Sequence, residues 1–209
     1  RLRMVFLRSP LGQDASPAIR GQRVWMRAPA MSDYVPWAEL RAESREHLRP
    51  WEPAWARDEL TRSAYRRRIR HYAREAREDL GYAFLMFDNV DDRLVGGVTL
   101  SGVRRGVTQS AALGYWLGRP YVGQGHMSDA VRAMIPHAFL QLRLHRIEAA
   151  CMPTNAASIR VLERAGFARE GVARQYLRID GVWEDHLLYG LVEDCLHAPP
   201  STNAGGRVR

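Results

Sequence analysis

Gly114-Tyr115-Trp116-Leu117-Gly118-Arg119-Pro120-Tyr121-Val122-Gly123-Gln124-Gly125-His126-Met127-Ser128 is the stretch on which the reading of this chain turns. An aromatic and aliphatic run suited to a strand ends at Gly118, a short loop with a proline follows, and two glycines spaced one apart open an apolar run of helical period. The first amides of a helix have no partner within it, and the helix dipole adds positive potential there. Glycines let an anion approach that backbone and permit left-handed dihedrals. The segment from Val122 to Ser128 therefore suits a pyrophosphate held by main-chain N–H groups. Taken alone, the glycine pair is equally compatible with a plain helix start after a tight turn. Of two commoner phosphate loops, G-x-x-x-x-G-K-[ST] is excluded because the chain has no Lys, and a dinucleotide fold is poorly supported because no G-x-G-x-x-G follows the first strand.

Upstream of the turn, Thr108–Leu117, Leu94–Val103 and Tyr82–Asp88 read as strands, the last leading into the turn Asn89-Val90-Asp91-Asp92; their close spacing predicts an antiparallel meander. A helix is expected over 58–79, with Leu60, Ala64, Ile69, Tyr72, Ala73 and Ala76 as its apolar positions. Before it, His47-Leu48-Arg49-Pro50-Trp51-Glu52-Pro53 carries two prolines and predicts an ordered, irregular loop. Ser32 or Asp33 caps a helix to Ala42 with Pro36 in its first turn, and Gln22–Arg27 is a short opening strand. Downstream, Ser128–Leu142 reads as a helix, His145–Cys151 as a strand, and Ala156–Ala165 as a helix closed by Gly166. Phe167–Ile179 and Val182–Leu191 form a hairpin at Asp180-Gly181. The order is β-α-α-β-β-β-α-β-α-β-β, an α+β layered fold with a single mixed, mostly antiparallel sheet flanked by helices. Residues 22–195 form the domain, with an N-terminal arm at 1–21 and a flexible tail at 196–209.

The chain has 209 residues and a net charge of +8, with 31 Arg and no Lys. Its densest basic patch, Arg62, Arg66, Arg67, Arg68, Arg70, Arg74 and Arg77, is tempered by Glu75, Glu78 and Asp79 and reads as a solvated helix face, with a partner-binding surface as the alternative. Direct nucleic-acid binding is not expected. No apolar run approaches the length of a membrane span, and no secretory pattern opens the sequence. Position 1 is Arg, so the sequence reads as a fragment or processed form, with Met4 a candidate start. Cys151 and Cys195 stand far apart in no CxxC spacing, which points to a reducing, cytoplasmic setting. His71, His137 and His197 show no metal-ligand spacing, and no metal is expected.

The motifs from Gly114 to Leu188 resemble the GNAT acetyltransferase superfamily, and within it the RimJ/RimL branch. The resemblance rests on Gly114-Tyr115-Trp116-Leu117, Gly123-Gln124-Gly125 and Leu144-His145-Arg146-Ile147-Glu148-Ala149. It continues with Asn155-Ala156-Ala157-Ser158-Ile159-Arg160-Val161-Leu162-Glu163-Arg164-Ala165-Gly166-Phe167, Arg169-Glu170-Gly171 and Gly181-Val182-Trp183-Glu184-Asp185-His186. It implies a GNAT fold and acetyl-CoA as co-substrate, bound where two parallel strands splay apart. By the same resemblance Tyr115, Trp116 and Leu117 offer backbone groups to the pantetheine arm. Val122, Gly123, Gln124, Gly125, His126, Met127 and Ser128 hold the pyrophosphate. Val122 and Met127 depart from the family's usual turn, and Met127 narrows its space. The implied reaction is direct attack of a primary amine on the thioester, through a tetrahedral intermediate.

Such a transfer needs a neutral amine, a donor for the oxyanion and a proton for the departing thiolate. Asn155 and Ser158 lie three apart at a helix start and so on one face. The resemblance assigns Asn155 to the pantetheine and Ser158 to the sulfur as proton donor; either also suits a helix cap. Many GNAT members carry Tyr where this chain has Leu162, which leaves Ser158 to substitute. The general base stays open among Glu148, Glu52, Asp185 and His186, and Glu148 is equally suited to pairing with Arg146 or Arg160. Trp51, Tyr115, Tyr176 and Trp183, with Asp185, are candidates to line the acceptor cleft. By resemblance the acceptor is the N-terminal amine of a ribosomal protein. The alternatives are a small amine (an aminoglycoside, polyamine or amino acid) or a non-catalytic CoA- or RNA-binding module. A monomer or homodimer with no membrane contact is expected.

Overall fold

Phe84, Leu85, Met86 and Phe87 are all buried, yet they go to opposite faces of their strand: Phe84 and Met86 join one core cluster, Leu85 and Phe87 another. Successive strand side chains alternate, so four buried in a row require cover on both faces. The computed structural model, which describes residues 18–196, supplies that cover. Its strands are β1 (Ile19–Arg20), β2 (Val24–Arg27), β3 (Gly81–Asp88), β4 (Leu94–Arg104), β5 (Ser110–Leu117), β6 (Arg146–Cys151), β7 (Ala168–Ile179) and β8 (Val182–Val192). Its helices are α1 (Tyr34–Glu43), α2 (Arg45–Leu48), α3 (Arg62–Arg77), α4 (His126–Pro136) and α5 (Ala156–Arg164). The strands form one sheet in the order β1-β2-β3-β4-β5-β6-β8-β7, antiparallel throughout except for the parallel pair β5–β6. α4 buries Ala130, Val131 and Met134 against Met26, Met86 and Leu100 on one face. On the other, Trp37 and Leu40 of α1 and Tyr65 of α3 close over Leu85, Phe87 and Leu94. This is the expected mixed, mostly antiparallel layered sheet.

Several boundaries differ from expectation. Ile19–Arg20, assigned to the arm at 1–21, pairs with Met26 and Trp25 and belongs to the sheet; the rest of that arm, up to 17, lies outside the described residues, as does the expected tail from 197 on. The two-proline loop is partly helical, because Pro50 sits at the start of a 3₁₀ turn (Arg49–Trp51), where its missing N–H costs nothing. α3 starts at Arg62, later than expected, since Thr61 caps it by accepting from the Ala64 amide at 3.2 Å. Of its expected apolar stripe, Ala73 and Ala76 are exposed, and the buried residue is Tyr65. α4 ends at Pro136, whose ring and missing donor break the α register, and a π-helical turn (His137–Gln141) follows. At the expected hairpin, Asp180 and Gly181 both take positive φ, 42° and 87°, the signature of a type I′ turn. No helix among the described residues is long and apolar enough to cross a membrane.

Candidate active site

β5 and β6 pair only from Ser110/Arg146 to Leu113/Ala149. Beyond that point β5 stays with β4, as Tyr115 faces Val98 and Leu117 faces Gly96, while β6 stays with β8 through Cys151 and Leu187. The strands have parted, leaving the β5 edge from Gly114 to Leu117 open toward the gap. A cleft of about 610 Å³ occupies it, lined by Tyr115, Trp116 and Leu117 on the strand side and by Asn155, Ser158, Arg160 and Arg164 along α5.

At the far end the cleft meets Val122, Gly123, Gly125, Met127 and Ser128. Gly123 and Gly125 have φ of 79° and 84°, in the left-handed region that only glycine occupies without strain. A Cβ on Gly123 would touch nothing within 4 Å, so there the requirement is dihedral and not steric. Gly125 caps α4, whose first internal bond runs from the Asp129 amide to the Gly125 carbonyl at 3.0 Å. The N–H groups of His126, Met127 and Ser128 therefore precede the helical ladder and are available to an anion. The Asp129 carboxylate, in the same first turn, is buried and turned toward β2, where it accepts from the Arg23 and Val24 amides at 2.7 and 3.2 Å.

Two expected cofactor residues do not line the cleft with their side chains. Gln124 donates to the Pro120 carbonyl at 2.7 Å. His126 is buried, with its Nε2 2.7 Å from Asp88 Oδ2 and its ring edge-on to Tyr121. Only the backbone of these two residues can serve an anion.

At the mouth between β5 and α5, the Asn155 side-chain oxygen accepts from the Ser158 amide at 3.0 Å, so Asn155 does cap the helix, using one half of its amide. The Ser158 Oγ lies 2.8 Å from the Tyr115 hydroxyl. Burial pushes the Tyr115 phenol above its ordinary value, outweighing the opposing effect of the Ser158 bond. Cys151, on β6, is buried beside Ser158, and its thiol is likewise pushed up by burial.

Two smaller cavities open on the other side of this mouth. One, about 410 Å³, lies between α1, α3 and the sheet, bounded by Arg41, Glu52, Trp55, Arg68 and Tyr72. The other, about 300 Å³, runs past Trp51, Pro53, Gly114, Cys151 and His186. Tyr115 lines all three spaces, and Glu52 lines the larger cleft as well as the 410 Å³ cavity. The Glu52 carboxylate receives Arg41 Nη1 and Nη2 at 2.7 Å each and Trp55 Nε1 at 2.9 Å. The Arg41 guanidinium in turn lies 4.4 Å from the Trp55 ring centre and 5.0 Å from that of Trp116.

The other acidic and aromatic candidates are not brought here. Glu148 lines none of the three spaces and is held by Arg104 at 2.6 Å and Arg146 at 3.1 Å, which places it in an ion-pair network. Asp185 accepts from the Gln175 amide at 2.8 Å and shapes the bulge in β7. Tyr176 and Trp183 are exposed on the β7–β8 hairpin and line none of the three spaces. Trp51 does line two of them, positioned because the Asp180 amide donates to the Glu52 carbonyl at 2.9 Å and ties that loop to the hairpin tip. Arg41, Trp55, Arg160 and Arg164 were not singled out as site residues by sequence reading. For the last two, their i, i+4 spacing beyond Asn155 and Ser158 was the available signal.

The family profile described as "Acetyltransferase (GNAT) domain" matches residues 23–168. A probable N-acetyltransferase, YjcK, of Bacillus subtilis is 39% identical over 174 residues, covering 83% of this chain and 96% of its own. The [ribosomal protein uS5]-alanine N-acetyltransferase of Escherichia coli is 35% identical over 154 residues, 74% of this chain and 79% of its own. The structure of Mycobacterium smegmatis RimJ in complex with CoA-disulfide superimposes with a TM-score of 0.79 at 32% identity, covering 84% of each chain. The parted strands, the glycine-opened helix and these likenesses agree: the chain belongs to the GNAT acetyltransferase family and is an acetyl-CoA-dependent N-acetyltransferase.

Proposed function

We propose that this enzyme transfers the acetyl group of acetyl-CoA to the N-terminal α-amine of a ribosomal protein, in the cytoplasm. The single observation that carries the reading is the continuous path from the unpartnered amides of α4, along the open edge of β5, to the Tyr115–Ser158 contact where two further cavities begin. The first part suits a pyrophosphate and an amide-bearing arm; the second leaves room for a polypeptide end. The named activity of the E. coli relative supports an alanine terminus.

In this reading Arg160 and Arg164 add cationic charge to the phosphate end of the cleft. Ser158 gives a proton to the departing sulfur. Glu52, fixed by Arg41, accepts a hydrogen bond from the incoming amine and orients it. A free α-amine has a pKa of about 8, so a sizeable neutral fraction exists near neutrality and water can take its proton. Trp51 forms the wall between the cofactor and acceptor spaces.

Incubation with acetyl-CoA and a total ribosomal-protein extract, followed by intact-mass and N-terminal peptide analysis, is the test. One acetyl on the N-terminus of one protein is the expected result. Acetylation confined to lysine side chains or to small amines would reject the proposed acceptor.

A further inference from the structure

A serine that gives its proton to a thiolate is left as a high-energy alkoxide unless a second donor protonates it in the same step, and the described structure places a phenol within reach. We infer that Tyr115 is that source: its phenol donates to Ser158 Oγ, leaves the serine hydrogen free to face the cofactor sulfur, and resupplies it when the thiol departs. The inference rests on the role proposed for Ser158.

The geometry is specific. Tyr115 reaches from β5 across the gap to α5, and its hydroxyl oxygen lies 2.8 Å from Ser158 Oγ, an ordinary length for an O–H···O bond. Either oxygen can donate across this contact, and the proposed relay uses the arrangement in which the phenol, the stronger acid of the two, donates. One turn along α5 from Ser158, the residue facing the same 300 Å³ cavity is Leu162, which has no proton to give. Tyr115 lines the cofactor cleft and both acceptor-side cavities, so its phenol sits where sulfur, carbonyl and amine have to meet. Cys151 on β6 and Tyr189 on β8 are its other titratable neighbours, with Glu52 and His186 across the cavities; burial keeps the phenol protonated through neutral pH.

The step balances. The neutral amine nitrogen bonds to the thioester carbon, and the carbonyl pair moves to oxygen. Return of that pair breaks the C–S bond. The sulfur takes the Ser158 hydrogen, Ser158 takes that of Tyr115, and the proton shed by the amine nitrogen to water restores the phenol. The products are one amide and one free thiol.

The test uses the full chain, acetyl-CoA and a synthetic peptide beginning with alanine, read as single-turnover rates. Tyr115→Phe keeps the ring and removes the hydroxyl; the rate should fall by about 10²-fold, in the range for loss of a proton donor, while the calorimetric Kd for CoA stays the same. The double variant Tyr115→Phe, Ser158→Ala should be no slower than Ser158→Ala alone. Replacing Tyr115 with a fluorotyrosine, whose phenol is more acidic, should shift the alkaline loss of rate to lower pH. A Ser158→Ala variant with the parent rate would overturn both this inference and the role proposed for Ser158. An impaired Ser158→Ala beside a Tyr115→Phe at full rate would overturn this inference alone. So would multiplicative losses in the double variant, or an alkaline limb that ignores fluorination.

Discussion

Arg41 and Glu52 meet as a bidentate pair, two N–H···O bonds of 2.7 Å each, with the Arg41 side chain only 7% exposed and its guanidinium set against the rings of Trp55 and Trp116. α1 and the two-proline loop are thereby clamped together at the border between the cofactor cleft and the acceptor side. Arg41→Met leaves a poorly solvated carboxylate without its partner, a change that costs about 3–5 kcal/mol. Adding Glu52→Leu should recover part of that loss without restoring acetyl transfer. Urea unfolding of both variants measures the first effect, and a peptide assay the second. A cost under about 1 kcal/mol for Arg41→Met would show that the pair is no more than a surface contact.

Gly125→Ala tests the anion site. The φ of 84° strains an alanine by about 1–2 kcal/mol, and the added Cβ would lie 3.5 Å from Arg23 Nε, an ordinary contact. The strain acts on the cap of α4, whose amides are proposed to hold the pyrophosphate. CoA affinity should therefore fall by about tenfold while desulfo-pantetheine fragments lacking the pyrophosphate bind as before. Equal weakening of both ligands by calorimetry would place the pyrophosphate elsewhere.

The features legible in sequence were those in which a residue type answers a local demand. Gly123 and Gly125 are needed for positive φ, Asp180-Gly181 for a type I′ turn, and Asn155 with Ser158 for a helix start that also faces a cleft. Pairings across elements were not legible. Nothing in the spacing of Arg41 and Glu52 links a helix to a loop until α1 is packed on the sheet. Tyr176 and Trp183 misled because an aromatic on a hairpin reads the same whether it faces a cleft or solvent. That the His126 side chain turns inward to Asp88, leaving only its amide for an anion, was likewise not legible, because the partner lies 38 residues away on β3.

Acid should destabilise the fold through carboxylates held in their charged form. The Val90 amide and His126 hold Asp88 below its ordinary 3.8, Arg105 does the same for Asp79, and Arg146 holds Glu170 below its ordinary 4.5. Depressed folded values mean that the unfolded chain takes up protons first. The stability they confer is complete above the ordinary carboxylate range and is lost as pH falls through the depressed values. Asp79 and Glu170 are largely exposed and screened, so Asp88, whose side chain is 17% exposed, should dominate and persist in salt. Urea midpoints followed from neutral pH into the acid range should decline less steeply in Asp88→Asn than in the parent. Parallel curves would remove Asp88 from the acid response.

Glu148 was the strand carboxylate that sequence reading offered as a base, and its surroundings argue against it. It pairs with Arg104 and Arg146, while Arg146 also binds Glu170, so the four side chains form a charged network on the face of β6 that lines none of the three spaces. Glu148→Gln keeps the shape, weakens two charge-assisted bonds at a partly exposed position, and should cost about 1 kcal/mol or less. The same variant should leave kcat and KM for a peptide acceptor within about twofold of the parent, since general-base loss costs about 10²–10⁴ in rate. The informative readout is the acid limb of kcat/KM. If that limb vanishes in Glu148→Gln while cofactor affinity holds, the carboxylate acts on the amine after all, by way of water reaching it from the cavity past Cys151.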